Sequence, residues 1–361
     1  MKRYIKILSL AGIMAALLIA LAACSGNDAA GDSAAAGGDN TLVVFNYGDY
    51  IDIETLDMFT EETGIKVQYE QYVTPEDMYT KYQSGAIPYD VICTSDYIIE
   101  KMIQAGQVQE IDRSGMEYYD NLDPVYLDFC KAFDPENKYA VPYFWGTVGI
   151  CYNTSMVDEE IDSWDILWDE KYAGQLVMEN SMRDAFIVPL KLAGKSINTT
   201  EEGELLEAQE KLKEQKRLVM AYMVDESRDA MIAGDAAMAV IYSGDATVAM
   251  EYNEDLAYVV PKEGSNIWFD CWFIPDSCKH KSNAEKFIDF MNREDIAAMN
   301  FDYVYYGTPN KALYDELDEE TKEDQTIFPE EEALMRCEVY KYLGEKTEKF
   351  YNRLWKELKA Y

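Results

Sequence analysis

Apolar and polar residues follow a regular pattern from residue 41 onwards, and this pattern predicts alternating strands and helices. Residues 41–45 form a short apolar run that is typical of a strand. The next segment predicts a helix whose buried face holds Leu56 and Phe59 and which ends at Gly64, because glycine readily takes the left-handed conformation at a helix C-terminus. Alternation over residues 65–69 then predicts a second strand.

The same alternation continues through the first hundred residues of this region. Thr74 followed by proline and two acids predicts a helix start, because threonine caps free amide groups and acids favour the N-terminal end of the helix dipole. A strand is predicted over residues 89–93, and a helix over 96–105 that ends at Gly106. Repeated strand–helix–strand units predict an α/β fold with a parallel sheet and right-handed crossovers.

A second α/β lobe is predicted after Pro142. Its predicted strands are 146–152, 175–178 and 236–242, and its predicted helices are 182–193, 201–216 and 346–359. The chain after residue 40 has about 320 residues, which is enough for two lobes rather than a single core.

The N-terminal segment resembles a bacterial lipoprotein export signal. Three basic residues precede an apolar run over residues 7–23, and small residues lead to Cys24 as they do in a lipobox. We therefore expect residues 1–23 to be a lipoprotein signal peptide, Cys24 to carry the lipid, and residues 24–40 to be a flexible tether without large apolar side chains. The alternatives are a plain secretory signal with a chance cysteine, or an uncleaved anchor helix.

The chain is strongly acidic, with a formal net charge of −36. Such a surface repels nucleic acid and anionic lipid headgroups, so we expect neither as a partner. It also attracts cations towards any cleft, although acidity at this level is equally a general solubility feature.

The cysteine and histidine content disfavours metal sites and histidine-based catalysis. The seven cysteines form no CxxC pair, and several lie in apolar runs, where buried free thiols are the expected state. His280 is the single histidine and lies in a basic loop that is typical of a surface. We expect no metal, no cofactor and no Ser-His-Asp or Cys-His centre.

Aromatic and acidic residues follow four of the predicted strands, where open α/β sheets bind ligands. Each of these groups also has a purely structural explanation. Ser181 and Asp184 have the spacing of a capping box, and Ser243 with Asp245 could cap the next helix. Asp49 and Asp96 could be solvated acids of a first helical turn. The carboxylates suit ammonium groups, and the rings suit methylene spacers. The residues at these strand ends are Asn46, Tyr47, Gly48, Asp49, Tyr50, Thr94, Ser95, Asp96, Tyr97, Ser181, Asp184, Ser243, Gly244 and Asp245.

The stretch over residues 266–275 places an acid among large apolar groups. Trp268 and Asp270 lie two residues apart within it. Burying an unpaired aspartate costs several kcal/mol, and an indole face attracts ammonium groups by roughly 0.5–2 kcal/mol. The alternative is an ordinary strand with one outward polar residue.

Several motifs resemble those of the bacterial spermidine/putrescine-binding proteins, the substrate-binding subunits of polyamine ABC importers. The resemblance covers residues 41–361, and its most specific parts are Glu-Glu-Thr-Gly-Ile-Lys-Val at 61–67, Tyr-Asp-Val-Ile at 89–92 with Ser-Asp-Tyr at 95–97, Val-Pro-Tyr-Phe-Trp-Gly at 141–146, Ser-Trp-Asp-Ile-Leu-Trp at 163–168, Trp-Phe-Asp at 268–270 and Gly-Thr-Pro-Asn at 307–310.

The resemblance implies a type II periplasmic-binding-protein-like fold, in which two α/β lobes are joined by two crossing hinge strands. Each lobe is then a sheet flanked by helices, and the lobes close on the ligand by a hinge motion. We expect residues 41–145 plus 271–315 in the first lobe, and residues 146–270 plus 316–361 in the second.

The resemblance also implies which residues line the ligand. Asp270 matches the family's central acid, Asp184 an acid that holds a terminal amine, and Asp245 an acid of putrescine-binding members. Tyr47, Tyr242 and Trp268 match aromatic positions, with tyrosine in place of tryptophan at the first two. The expected ligand-binding residues are Tyr47, Asp49, Tyr50, Ser95, Tyr97, Ser181, Asp184, Tyr242, Asp245, Trp268, Asp270 and Tyr306.

Three departures leave the choice between diamine and triamine open. Ser181 stands where spermidine binders often have aspartate, Gly48 where a hydroxyl is common, and Tyr340 in place of a late glutamine. The resemblance implies a monomeric, non-enzymatic polyamine-binding protein that feeds an ABC permease. The alternatives are a binder of another solute such as ferric iron, for which Tyr305 and Tyr306 would matter, and a hydrolase that uses paired carboxylates.

Overall fold

The computed structural model describes residues 40–361. The predicted signal peptide, Cys24 and all but the last residue of the predicted tether lie outside the described residues. None of the helices between residues 40 and 361 is long and apolar enough to cross a membrane.

Strands and helices alternate through most of the described chain. The strands are β1 (Thr41–Tyr47), β2 (Lys66–Tyr72), β3 (Val91–Ser95), β4 (Ala140–Asn153), β5 (Leu176–Glu179), β6 (Val219–Met223), β7 (Met238–Tyr242), β8 (Leu256–Val259) and β9 (Ile267–Phe273). The helices are α1 (Ile53–Thr63), α2 (Pro75–Ser84), α3 (Asp96–Gln104), α4 (Pro124–Cys130), α5 (Met182–Leu192), α6 (Glu202–Lys216), α7 (Glu226–Ala233), α8 (Ser243–Tyr252), α9 (Lys281–Met291), α10 (Glu294–Val304), α11 (Lys311–Glu316), α12 (Glu319–Lys322), α13 (Glu331–Leu334) and α14 (Gly344–Ala360).

Helix capping near the N-terminus agrees with the sequence prediction. Gly64 ends α1 at a φ of 70°, in the left-handed region that glycine adopts without steric cost. The Thr74 hydroxyl accepts a hydrogen bond from the Asp77 amide at 3.2 Å and caps α2. Local sequence therefore fixes where both helices start or stop.

The strands form a mixed sheet in the order β2-β1-β3-β9-β4-β7-β5-β6, with β8 paired to β4. β1 runs parallel to β2 and β3, which confirms the parallel arrangement predicted for the first three strands. β5 likewise runs parallel to β6 and β7. The central strands β9 and β4 are antiparallel to their neighbours, because the chain crosses there between two groups of parallel strands.

β4 belongs to both groups of strands. Its first part pairs with β9, and its second part pairs with β7 and β8. It begins at Ala140, earlier than the predicted start at residue 146, because the apolar residues before Gly146 continue the same strand. The chain returns to the first group through residues 260–266 and enters β9, which carries Trp268 and Asp270.

Two hydrophobic clusters, one in each predicted lobe, hold most of the core. The first contains Phe59 and Trp272, and the second contains Trp164 and Phe186. Ile267 and Phe269 of β9 and several apolar residues of 327–339 pack in the first cluster, although the expected lobe boundaries assign them to the second lobe. Trp268 packs against the second cluster instead. β9 pairs with β3 over residues 270–273, which brings this strand to the first cluster.

The cysteines within the described chain behave as the sequence predicts. Each is buried as a free thiol, so none of them forms a disulfide. They are Cys93, Cys130, Cys151, Cys271, Cys278 and Cys337.

Candidate ligand-binding site

Asp270 is the centre of a hydrogen-bonded group that joins three elements of the first lobe. The pairing of β3 with β9 places Ser95 directly opposite Asp270. Ser95 donates to Asp270 Oδ1 at 3.0 Å, Tyr50 donates to Oδ2 at 2.9 Å, and the Tyr47 hydroxyl lies 3.1 Å from Oδ1. Tyr47 is the last residue of β1. Three of the predicted ligand-binding residues therefore surround a fourth, Asp270.

Asp270 is only 7 % exposed. Burial raises its pKa to about 6, against the opposing effect of hydrogen bonds from Tyr50, Ser95 and Tyr47. Within residues 40–361 these neutral hydroxyls are its partners, and no lysine or arginine forms a salt bridge with it. A buried acid held in this way is oriented without being neutralised, which favours a cationic ligand.

Aromatic rings from both lobes stand beside this acid. The Trp268 and Tyr306 ring centroids lie 4.8 Å apart at an angle of 83°, and Tyr242 meets Trp268 edge-on at 6.3 Å. Tyr50 contacts Tyr306 at 6.2 Å. Rings in this arrangement supply apolar walls, and their faces attract cations.

Asp184 forms a second buried acid in the second lobe. Its carboxyl is part of a residue only 4 % exposed and accepts from the Tyr242 hydroxyl at 2.8 Å and the Tyr340 hydroxyl at 2.9 Å. Ser181 caps α5, because its hydroxyl accepts from the Asp184 amide at 3.4 Å. The capping interpretation of this pair is therefore confirmed, and the cap fixes the first turn that carries Asp184.

Asp245 forms a third acid at the start of α8. Arg228 Nη1 lies 3.4 Å from its Oδ1. Burial raises the Asp245 pKa to about 6, and the Arg228 charge opposes that rise. The alternative interpretation of Ser243 as a helix cap is wrong, because α8 starts at Ser243 itself and the Ser243 hydroxyl instead accepts from the Thr147 amide of β4 at 3.3 Å.

Two further candidates lie at the edge of this group. The Tyr97 hydroxyl donates to Glu76 at 2.9 Å, while its ring meets the Tyr340 ring from the other lobe edge-on at 6.3 Å. Asp49 is exposed in the turn after β1, at a φ of 50°. Tyr97 therefore contacts the opposite lobe, whereas Asp49 faces solvent.

Asp96 is buried, which contradicts the expectation of a solvated acid in a first helical turn. Its Oδ2 accepts from the Phe269 amide at 3.3 Å, and its Oδ1 accepts from the Tyr97 amide at 2.7 Å. Asp96 thereby ties the start of α3 to β9, one residue before Asp270.

Three residues near the acids were not among the predicted ligand-binding residues. Tyr340 holds Asp184, Arg228 contacts Asp245, and Glu179 is a buried acid at the end of β5. Glu179 lies at the end of a strand, which is the position that identified the other candidate acids. The strand was predicted to end one residue earlier, at residue 178, so Glu179 was missed. No group of three or more His, Cys, Asp or Glu side chains suited to a metal ion occurs in the described part of the chain.

The fold and this site define a solute-binding protein. The family of bacterial extracellular solute-binding proteins matches residues 54–329, and the chain belongs to that family. Its periplasmic-binding-protein-like fold and the resemblance seen in the sequence are confirmed by the relatives.

Two relatives are named for spermidine and putrescine. The spermidine/putrescine-binding periplasmic protein of Escherichia coli (strain K12) is 36 % identical over 337 residues, which cover 92 % of this chain and 95 % of the relative. The crystal structure of the spermidine/putrescine ABC transporter substrate-binding protein PotD from Streptococcus pneumoniae is 40 % identical, with a TM-score of 0.81, and the match covers 89 % of this chain and 99 % of that one.

A more distant relative is named for a diamine alone. The putrescine-binding periplasmic protein PotF of Escherichia coli (strain K12) is 27 % identical over 338 residues, covering 89 % of this chain and 91 % of the relative. These relatives are solute-binding proteins rather than enzymes, and they favour neither iron binding nor hydrolysis.

Proposed function

We propose that this protein binds a polyamine such as spermidine or putrescine outside the cytoplasm and delivers it to an ABC importer. The observation that carries the proposal is the Asp270 carboxyl, which is buried and oriented by hydroxyl groups but not neutralised by a protein cation. A carboxylate has about four lone-pair positions, so these hydroxyls leave room for an ammonium group. The names and coverage of the relatives support the same ligand class.

The separation of the acids between the lobes supports an extended ligand with several charges. Asp270 is held by residues of the first lobe, whereas Asp184 is held by Tyr242 and Tyr340 of the second. Asp245 adds a third acid near the second. Ammonium groups pair with these acids, and the methylene chain packs against Trp268 and the neighbouring tyrosine rings.

We assign different roles to the remaining predicted residues. Tyr47, Tyr50 and Ser95 orient Asp270, Tyr242 orients Asp184 and forms a wall, and Tyr306 forms the wall with Trp268. Ser181 positions Asp184 through its cap, and Tyr97 contacts the opposite lobe where the lobes meet. Asp49 acts from the exposed rim, where its charge attracts the approaching cation.

Delivery and anchoring complete the proposal. A lipid on Cys24 tethers the protein to the outer face of the cell membrane, and residues 24–40 give it reach. The protein acts as a monomer, and closure of the lobes over the ligand creates the surface that the permease subunits recognise.

Calorimetric titration of the protein from residue 25 onwards tests the ligand class. We expect saturable binding of at least one of putrescine, cadaverine, spermidine and spermine, and a rise in melting temperature with each ligand that binds. Ferric iron and chromogenic glycosides serve as the rival ligands. Stabilisation by iron alone, or turnover of a glycoside, would contradict the proposal.

Gly244 provides a test of lobe closure. A Cβ atom at this position of α8 would lie 2.4 Å from Tyr306 Cε1, so the ring and the helix can approach this closely only because residue 244 is glycine. We expect Gly244→Ala to weaken spermidine binding about fivefold to 150-fold, since overpacking of this kind costs about 1–3 kcal/mol. Gly203→Ala is the matched control, because a Cβ there meets no atom within 4 Å. Equal affinities of the two variants would show that this contact is not needed for binding.

A further inference from the structure

Glu179 is a buried acid that lacks a well-formed hydrogen bond in the described part of the chain. It is the last residue of β5 and is 1 % exposed. Neither carboxyl oxygen accepts a hydrogen bond of normal geometry from residues 40–361, and the Asn180 amide lowers the pKa of the carboxyl by less than burial and Asp184 and Asp245 raise it. An unpaired buried acid is costly in the free protein, and an apolar residue of similar size would avoid that cost.

The environment of Glu179 is negative. Asp184 from α5, Asp245 from α8 and Asp225 before α7 all lie close enough to disfavour its charge. β5 runs parallel to β7 and pairs with it, so Glu179 at the end of β5 lies at the same edge of the sheet as Tyr242 at the end of β7. The carboxyl therefore lies beside the candidate site, and its charge raises the pKa of the Tyr242 and Tyr306 hydroxyls.

The nearby cations are engaged elsewhere. Arg228 lies 3.4 Å from Asp245 and 3.8 Å from Asp229. Lys359 donates to the side-chain oxygen of Asn180, the residue after Glu179, at 2.9 Å. Within the described chain no salt bridge neutralises Glu179.

We propose that Glu179 is a further ammonium-binding position of this site and that it favours ligands with three or more ammonium groups over diamines. The inference rests on the proposed function and extends it to ligand choice. Asp184 and Asp270 suffice to neutralise the two ammonium groups of a diamine. A triamine has a third ammonium group, which pairs with Glu179 and Asp245. The Glu179 carboxyl oxygens accept hydrogen bonds from this third group, which gives them the partner that they lack in the free protein.

Ligand binding is then coupled to proton release. Burial, followed by the charges of Asp184, Asp245 and Asp225, raises the Glu179 pKa to about 9, so the carboxyl holds its proton near neutral pH in the free protein. An adjacent ammonium group favours the carboxylate, and the displaced proton passes to the buffer. Asp245 and Asp270, with pKa values of about 6, are already largely ionised at about pH 7.5 and release little.

The test uses Glu179→Gln, with Glu254→Gln as the matched control at an exposed position of the same lobe. Spermidine and putrescine are titrated at about pH 7.5 in two buffers of different ionisation enthalpy, which reports the protons released. We expect the Glu179 variant to bind spermidine at least about fivefold more weakly, with putrescine changed less than about twofold, and to release fewer protons than the wild type. The control is expected to match the wild type.

The melting temperature of the free protein separates a ligand-binding role from a structural one. A carboxyl whose pKa is raised by folding stabilises the fold below its ordinary pKa and loses that contribution as pH rises towards 9. Glu179→Gln removes the charge, so we expect a higher melting temperature than the wild type at about pH 8 and little difference near pH 4. A lower melting temperature at both values would assign Glu179 a structural role and overturn the inference.

Failure of this inference is distinguishable from failure of the proposed function. If the wild-type protein binds no polyamine, the proposed function fails. If the wild type binds spermidine but releases no proton, or if the Glu179 variant keeps the wild-type affinity and proton release, only the role of Glu179 is refuted. The proton measurement on the wild type needs no variant to fold.

Discussion

Replacing Asp270 with asparagine is expected to weaken the binding of both spermidine and putrescine at least about tenfold. Removing one partner of a buried, hydrogen-bonded charge pair costs about 2–5 kcal/mol. The amide keeps one acceptor oxygen but places an NH₂ group against the hydroxyls of Tyr50 or Ser95, which donate to the carboxylate in the wild-type protein. The loss affects ligands of every length, since Asp270 is the central acid.

The measurement is calorimetric titration of both ligands at about pH 7.5, where the Asp270 carboxyl with its pKa of about 6 is ionised. Below that pKa the wild-type carboxyl must lose a proton to pair with an ammonium group, so wild-type affinity falls towards pH 5. The asparagine variant lacks this contribution. Asp128→Asn is the matched control, because its side chain is 74 % exposed in the same lobe and its loss changes the net charge equally. Unchanged affinity in the Asp270 variant would refute the assignment of this acid.

Local sequence was sufficient to predict the first part of the fold. The strands β1 to β3 and the helices between them follow from hydrophobic periodicity, and Gly64 and Thr74 end or start helices through contacts within four residues. Asp270 was predictable for a different reason. Its neighbours Trp268 and Phe269 are large and apolar, so its charge stands out in the sequence.

Long-range packing explains what the sequence did not predict. Tyr340 contacts Asp184 across 156 residues of chain, and no local pattern relates the two. Ser243 could have been a cap from its spacing to Asp245, but the helix starts at Ser243 itself, directly after β7. The acids that act on the Glu179 carboxyl include Asp225 before α7 and Asp245 of α8, which lie far along the chain from β5.

The division into lobes stays a prediction and depends on the same long-range pairing. The expected boundary between residues 270 and 271 falls within β9, whose residues pair with β3 and β4. Hydrophobic periodicity locates a strand but does not specify its neighbours, because the pairing energy comes from strands distant in sequence. Trp268 therefore belongs to a first-lobe strand while its ring contacts Tyr242 of the second lobe.

Replacing Asp184 with asparagine is expected to have the second large effect, a loss of spermidine affinity of at least about tenfold. The hydroxyls of Tyr242 and Tyr340 both donate to this carboxylate, so the variant loses the charge and also leaves one buried hydroxyl facing an NH₂ group. Because Asp184 lies in the second lobe and Asp270 is held by the first, each acid pairs with a different ammonium group.

A ligand series separates this effect from a general loss of charge. We expect Asp184→Asn to weaken diamine and triamine binding but to leave the weak affinity for 1-aminobutane nearly unchanged, since a monoamine satisfies Asp270 alone. Asp158→Asn, at a side chain 89 % exposed in the second lobe, is the control. In the Asp184/Asp270 double variant, two acids that hold separate ammonium groups of one ligand give a combined loss smaller than the sum of the single losses, because each single loss already includes contacts to the aromatic walls that need both ends of the ligand anchored. Equal weakening of the monoamine and the polyamines would show that Asp184 supports the site without contacting an ammonium group.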